Sequence, residues 1–156
     1  MKFKWGIIIL IVLLLGVTCF IWGMSLPSIP ESRAESSKVI EFLKPLLEPI
    51  VGEGNVTEKI VRKTAHFIEF FAFGTIVTAF AAMLKRIRLL HVVLCHFVSM
   101  AVAVIDETIQ HYTGRGSQIT DVWLDFFGAA AGIAVVLVVY FIGMLIKTKK
   151  SDTKEP

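Results

Sequence analysis

The sequence predicts an all-α integral membrane protein, a four-helix bundle with an interfacial amphipathic helix between its first and second spans. Three observations carry that expectation. Of 156 residues, 55% are hydrophobic and the mean hydropathy is +0.73, well above that of a soluble domain. Four apolar runs, at 6–24, 65–84, 89–105 and 122–146, approach or exceed the ~20 residues a helix needs to cross roughly 30 Å of hydrocarbon. Basic residues flank the ends of these runs.

The elements follow in chain order, as one domain over 1–156 with no internal repeat. Span one covers about 6–24. Its basic start, Lys2 and Lys4, also suits a secretory signal, but the apolar stretch is longer than a signal's and Trp22 and Met24 stand where small residues should permit cleavage. Cys19 in this span and Cys95 in the third are expected to be buried, inert thiols with no disulfide or metal between them. Residues 25–56 form the long outer connection. Within it Val39, Leu43, Leu46 and Ile50 recur at helical spacing while Glu41, Lys44 and Glu48 take other faces, which predicts a short helix lying in the interface. Pro45 and Pro49 would kink it, and a loop whose apolar side covers the bundle is the alternative. Span two covers about 57–84 and starts near Asn55, where Asn55-x-x-Glu58 reads as a capping arrangement. Asn55-Val56-Thr57 also matches a glycosylation sequon, a match common by chance. After a KRIR turn, span three covers about 89–112 because its helical pattern continues past the apolar run. Span four covers about 120–146 and leads into a basic tail, 147–156, expected to be disordered.

Net charge is +3, and its distribution argues against a nucleic-acid partner. Nine basic residues (Lys2, Lys4, Lys85, Arg86, Arg88, Lys147, Lys149, Lys150 and Lys154) fall on the side that carries both termini. Seven fall on the other side, although its segments are far longer. The positive-inside rule makes the first side cytoplasmic. Trp5, Trp22, Trp123 and Tyr112 sit near span ends, as interfacial aromatics do.

Placed on this map, the polar residues converge. Span two enters at its outer end with Arg62, Lys63, His66 and Glu69; span three leaves there with Asp106, Glu107 and Gln110; span four re-enters with Asp121 and Asp125. The connecting loop adds His111, Tyr112 and Arg115. His66 with Glu69, Asp106 with Gln110, and Asp121 with Asp125 are three or four residues apart, so each pair shares a helix face. On span four that stripe continues through Gly128 and Gly132, where missing side chains admit a second helix. Ser99, Asp106 and Gln110 form a matching stripe on span three, so the acidic faces are expected to point into the bundle.

A carboxylate at membrane depth costs about 2.5–3.5 kcal/mol on insertion scales unless it is paired, solvated or protonated. Such a group is by default functional, although a buried ionic network of Glu69, Asp106, Asp121 and Asp125 with His66, Lys63, Arg62 and Arg115 would serve merely to register the helices. Several chemistries suit the cluster. His66 and Glu69 at i, i+3 can ligate one metal together with the aspartates. Glu69 or Glu107 can serve as general base or acid. Arg115, followed by Gly116 and Ser117, can hold a phosphate or carboxylate bidentately. His91 and His96 lie away from the cluster and read as packing or interfacial groups.

RKTAHFIEFFAFG at 62–74 and DETIQHYTGRGSQITDVWLDFFGAAAG at 106–132 together resemble the VanZ-like family of small bacterial membrane proteins. The resemblance implies that Lys63, His66, Glu69, Asp106, Glu107, Gln110, Arg115, Asp121 and Asp125 are the site residues. Phe70 departs from the tyrosine that relatives often carry. The family takes its name from a protein of teicoplanin resistance, and its architecture looks like that of membrane-embedded helical enzymes acting on lipid headgroups. The expectation is a cell-envelope protein that processes a phosphate-linked lipid headgroup or lipid-linked cell-wall precursor. Arg115 and Lys63 would bind phosphate, Glu107 or Asp106 would act as base, His66 as acid or ligand, and Gln110 would orient the substrate. Asp121 and Asp125 would bind a divalent metal ion or hold the bases in place. The rivals are a non-catalytic protein that binds such a precursor and alters antibiotic access, and a small oligomeric transporter coupled through Glu69.

Overall fold

The structure is a computed structural model that describes residues 2–26, 41, 44–45, 48–49, 52, 56–84, 86–115 and 117–152. Its long helices are α1 (Lys2–Ser25), α2 (Glu58–Leu84), α3 (Leu89–Tyr112) and α4 (Ile119–Asp152). All four are long and apolar enough to span a membrane, and no strand occurs among the described residues.

Helix starts and stops have local causes. At α2 the Thr57 side-chain oxygen accepts the amide of Ile60 at 3.4 Å, a role that suits threonine at an N-cap; Asn55 lies outside the described residues. At α3 the ring Nδ1 of His91 accepts the Arg88 amide at 3.1 Å, so this histidine closes a helix end. His96 packs its ring 5.7 Å from that of Phe126. α3 ends in a Schellman motif: the Gly114 amide donates to the His111 carbonyl, and the Arg115 amide to the Gln110 carbonyl. Gly114 has φ +74°, the left-handed conformation that such an end requires and glycine tolerates.

Of the expected interfacial helix, Glu41, Lys44, Pro45, Glu48 and Pro49 are described, with helical backbone. Its apolar positions Val39, Leu43, Leu46 and Ile50 lie outside the described residues. Two other expectations need correction. The chain stays helical through 147–152, where disorder was expected, because no glycine or proline interrupts the run before Pro156 and exposed lysines favour helix. At 34 residues α4 is about 50 Å long, so it outreaches the hydrocarbon and carries Lys147, Lys149 and Lys150 exposed. Cys19 is exposed whereas Cys95 is buried, and neither is in a disulfide. The reason is the narrow face that α1 packs inward, Leu14, Val17, Ile21 and Ser25, which excludes position 19.

The core joins Ile21 of α1, Phe70, Phe73 and Val77 of α2, Cys95, Val102 and Ala103 of α3, and Ala129 and Ile133 of α4. Its most intimate crossing is α2 on α4. A Cβ on Gly128 would lie 2.6 Å from the Phe67 carbonyl oxygen. One on Gly132 would strike the Phe71 carbonyl and one on Gly74 the Ala129 carbonyl, so three glycines hold the two backbones together. That crossing brings the amino-terminal turns of α2 and α4 side by side.

Candidate functional site

Four helix ends meet at one end of the bundle. Ser25 closes α1, His66 sits two turns into α2, Asp106 lies near the end of α3, and Asp125 is in the second turn of α4. The centre of the cluster is Asp106, fully buried. Its Oδ1 accepts the Ser25 hydroxyl at 2.7 Å and its Oδ2 accepts the Gln110 side-chain amide at 2.8 Å. The i, i+4 spacing on α3 turns both Gln110 and Asp106 inward, and Ser99 continues the buried stripe, as the sequence led one to expect.

Facing Asp106 are His66 and Asp125. The Nδ1 of His66 stands 3.7 Å from Asp106 Oδ2 and 3.8 Å from Asp125 Oδ1, beyond hydrogen-bond range. Asp125 has 0% exposure, and neither of its carboxylate oxygens nor the His66 Nδ1 has a hydrogen-bond partner. Buried polar atoms are nearly always bonded, so three orphaned atoms around one point mark an incomplete site. Donor atoms of His66, Asp106 and Asp125 lie within 4.8 Å of one another, close enough to hold a metal ion.

The remaining expected residues form the surround. Lys63 makes a 2.7 Å ion pair with Asp121, which ties the second turn of α2 to the first turn of α4. The resemblance implies Lys63 on phosphate, and Asp121 and Asp125 on a divalent metal ion or holding the bases in place; here Lys63 and Asp121 pair with each other, and of the two aspartates Asp125 belongs to the metal-capable group. Glu107 is buried; its Oε1 accepts the Gln118 amide and so anchors the loop before α4, while its Oε2 has no partner. Glu69, one turn after His66 on the same helix face, is half-buried and outside the metal-capable group, whose second and third donors are Asp106 and Asp125. It remains within electrostatic reach of Asp106 and Arg115.

Arg115 leaves the Schellman turn half-exposed and donates to the Met24 carbonyl, one of the last carbonyls of α1 that has no partner within its own helix. The Thr113 hydroxyl sits 3.1 Å from the Ser25 carbonyl. Arg115, Arg62 and Asp121 all lie within electrostatic reach of His66; the two arginines are half-exposed, whereas Asp106 and Asp125 are fully buried. Ser25, Thr113 and Gln118 were missed from the sequence. Span order does place residue 25 at the level of Asp106, and that was the signal available for Ser25; no pattern marks the other two.

Comparisons with curated proteins and with solved structures give no match. The family model described as VanZ/LLP1 matches residues 7–141, from early in α1 to late in α4 and across every residue of the cluster. The chain is therefore a member of the VanZ/LLP1 family, a VanZ-like protein with four membrane-spanning helices.

Proposed function

We propose that this protein works in the bacterial cell envelope on a phosphate-linked lipid headgroup or a lipid-linked cell-wall precursor, at the outer leaflet, and contributes through it to teicoplanin resistance. The supporting observation is the layering of the cluster: cationic Arg62 and Arg115 around half-buried His66 and buried Asp106, Glu107 and Asp125, several of whose polar atoms lack partners. A phosphate approaching from the interface meets the cations first, and a reacting group then meets acids and an imidazole in a dry setting where electrostatics are strong. Glu107, one oxygen held by Gln118 and the other unpartnered, suits a general base. Gln110 acts on Asp106 rather than on substrate, since its amide is already committed there.

Purified protein in lipid, incubated with phosphate-linked lipids with and without divalent metal, tests this reading. Headgroup release by wild type, reduced about 10²-fold or more in Glu107→Gln, is the expected result. Lipids left unchanged under both conditions, together with a Glu107→Gln strain as glycopeptide-tolerant as wild type, would remove it. The satisfaction of both Asp106 oxygens favours a second reading, in which the site binds the precursor without turnover. Saturable lipid binding that survives Asp125→Glu, with no product formed, would select it.

A further inference from the structure

We infer that His66, Asp106 and Asp125 form a binding site for one divalent transition-metal ion, held by three protein donors from three helices. The inference does not depend on the lipid reading. A carboxylate cluster alone would not carry it. The independent observation is Asp125, wholly enclosed and with both oxygens unbonded, opposite an equally unbonded His66 Nδ1 at 3.8 Å.

Three arguments converge on an ion. Two donors held at about 2.1 Å from a tetrahedral ion stand about 3.4 Å apart, so the two edges from His66, at 3.7 and 3.8 Å, and the edge between the aspartates, within 4.8 Å, close with side-chain movements on the order of 1 Å. Two carboxylates and a neutral imidazole, once deprotonated for ligation, carry two negative charges, which a divalent ion cancels. Imidazole with carboxylates suits Zn²⁺ or Mn²⁺ better than Mg²⁺, whose preference is for oxygen and water. The surround also resembles that of a metal site. Ser25 and Gln110 bond the two oxygens of Asp106, and partners of this sort orient metal ligands and support their affinity. Three protein donors leave at least one position for water or a phosphate-type oxygen.

The experiment uses the full chain in nanodiscs, stripped with chelator, dialysed against Zn²⁺ or Mn²⁺ and assayed for bound metal and for thermal unfolding. Wild type should hold one ion per chain and melt at a higher temperature as Zn²⁺ is added. Asp125→Asn and His66→Ala should bind at least tenfold more weakly. Gln110→Ala should lose about 10–100-fold in affinity, the effect of removing an outer partner, and His111→Ala, an exposed histidine at the same end, should bind as wild type does. Pulsed EPR of bound Mn²⁺ should detect an imidazole nitrogen in the wild-type protein, which needs no variant to fold. Substoichiometric metal, the absence of that nitrogen, or unchanged binding in both Asp125→Asn and His66→Ala would overturn the site. A metal that binds as described while every lipid stays unchanged would leave the site standing and remove only the enzymatic reading.

Discussion

Asp106 shows how much of the site rests on single contacts. The Ser25 hydroxyl is the only side chain that α1 contributes to it among the described residues, at 2.7 Å from Oδ1. Ser25→Ala should therefore lower stability by about 1–3 kcal/mol, the range for a buried acceptor left without its donor, read as a shift in reversible unfolding in micelles. Lys63 and Asp121 are a second such contact, in which the carboxylate is buried and the ammonium partly exposed. Lys63→Ala, which leaves that carboxylate without its cation, should cost about 1–3 kcal/mol, and the double variant Lys63→Ala/Asp121→Ala less than Lys63→Ala alone, a coupling read by a double-mutant cycle. The acids themselves were legible in the sequence, because i, i+3 and i, i+4 spacing assigns a face and span order assigns a depth. Their partners were not. Which donor a carboxylate takes depends on helix rotation and crossing, and one serine at the end of an apolar run carries no period.

At the scale of elements, the α2–α4 crossing is the piece that positions His66 beside Asp125. Gly128 and Gly132 could be read as a packing stripe because they continue the Asp121–Asp125 face; Gly74, which meets the Ala129 backbone, sits among aromatics with no partner at helical spacing. Gly132→Val should push the helices apart and cost about 1–3 kcal/mol, with reduced yield of folded protein and loss of the site even though no polar residue is altered. The turn after α3 has a comparable role. Gly114→Ala forces a side chain into the left-handed region, at about 1–2 kcal/mol, and should displace Arg115 from the Met24 carbonyl, which proteolysis of the 113–118 loop would detect. Elsewhere the apolar pattern misled. α1 is hydrophobic on every face, so its inward stripe was invisible and Cys19 was assigned to the wrong side.

Over the whole molecule, four crossings bring alternate helix ends together, and every polar residue singled out from the sequence near those ends, from Lys63 to Asp125, lies at one end of the bundle. The other end is apolar between α2 and α3, around Val77, Leu84, Leu94 and Cys95, with Arg86, Arg88 and the lysines of α4 beyond it. Charge is thus sorted by depth, and the buried acids are concentrated where three chain segments far apart in sequence must meet. That meeting is the central claim, and its most direct test is a cross-link. With Cys19→Ser and Cys95→Ala removing the native thiols, Ser25→Cys and Asp106→Cys put thiols on the two residues joined by the 2.7 Å bond, and treatment of native membranes with a short bifunctional methanethiosulfonate reagent, which spans the gap a direct disulfide would not, is followed by unfolding and mass analysis. One reagent bridging the two positions is the predicted outcome; two thiols each carrying a separate reagent in a folded chain would contradict it.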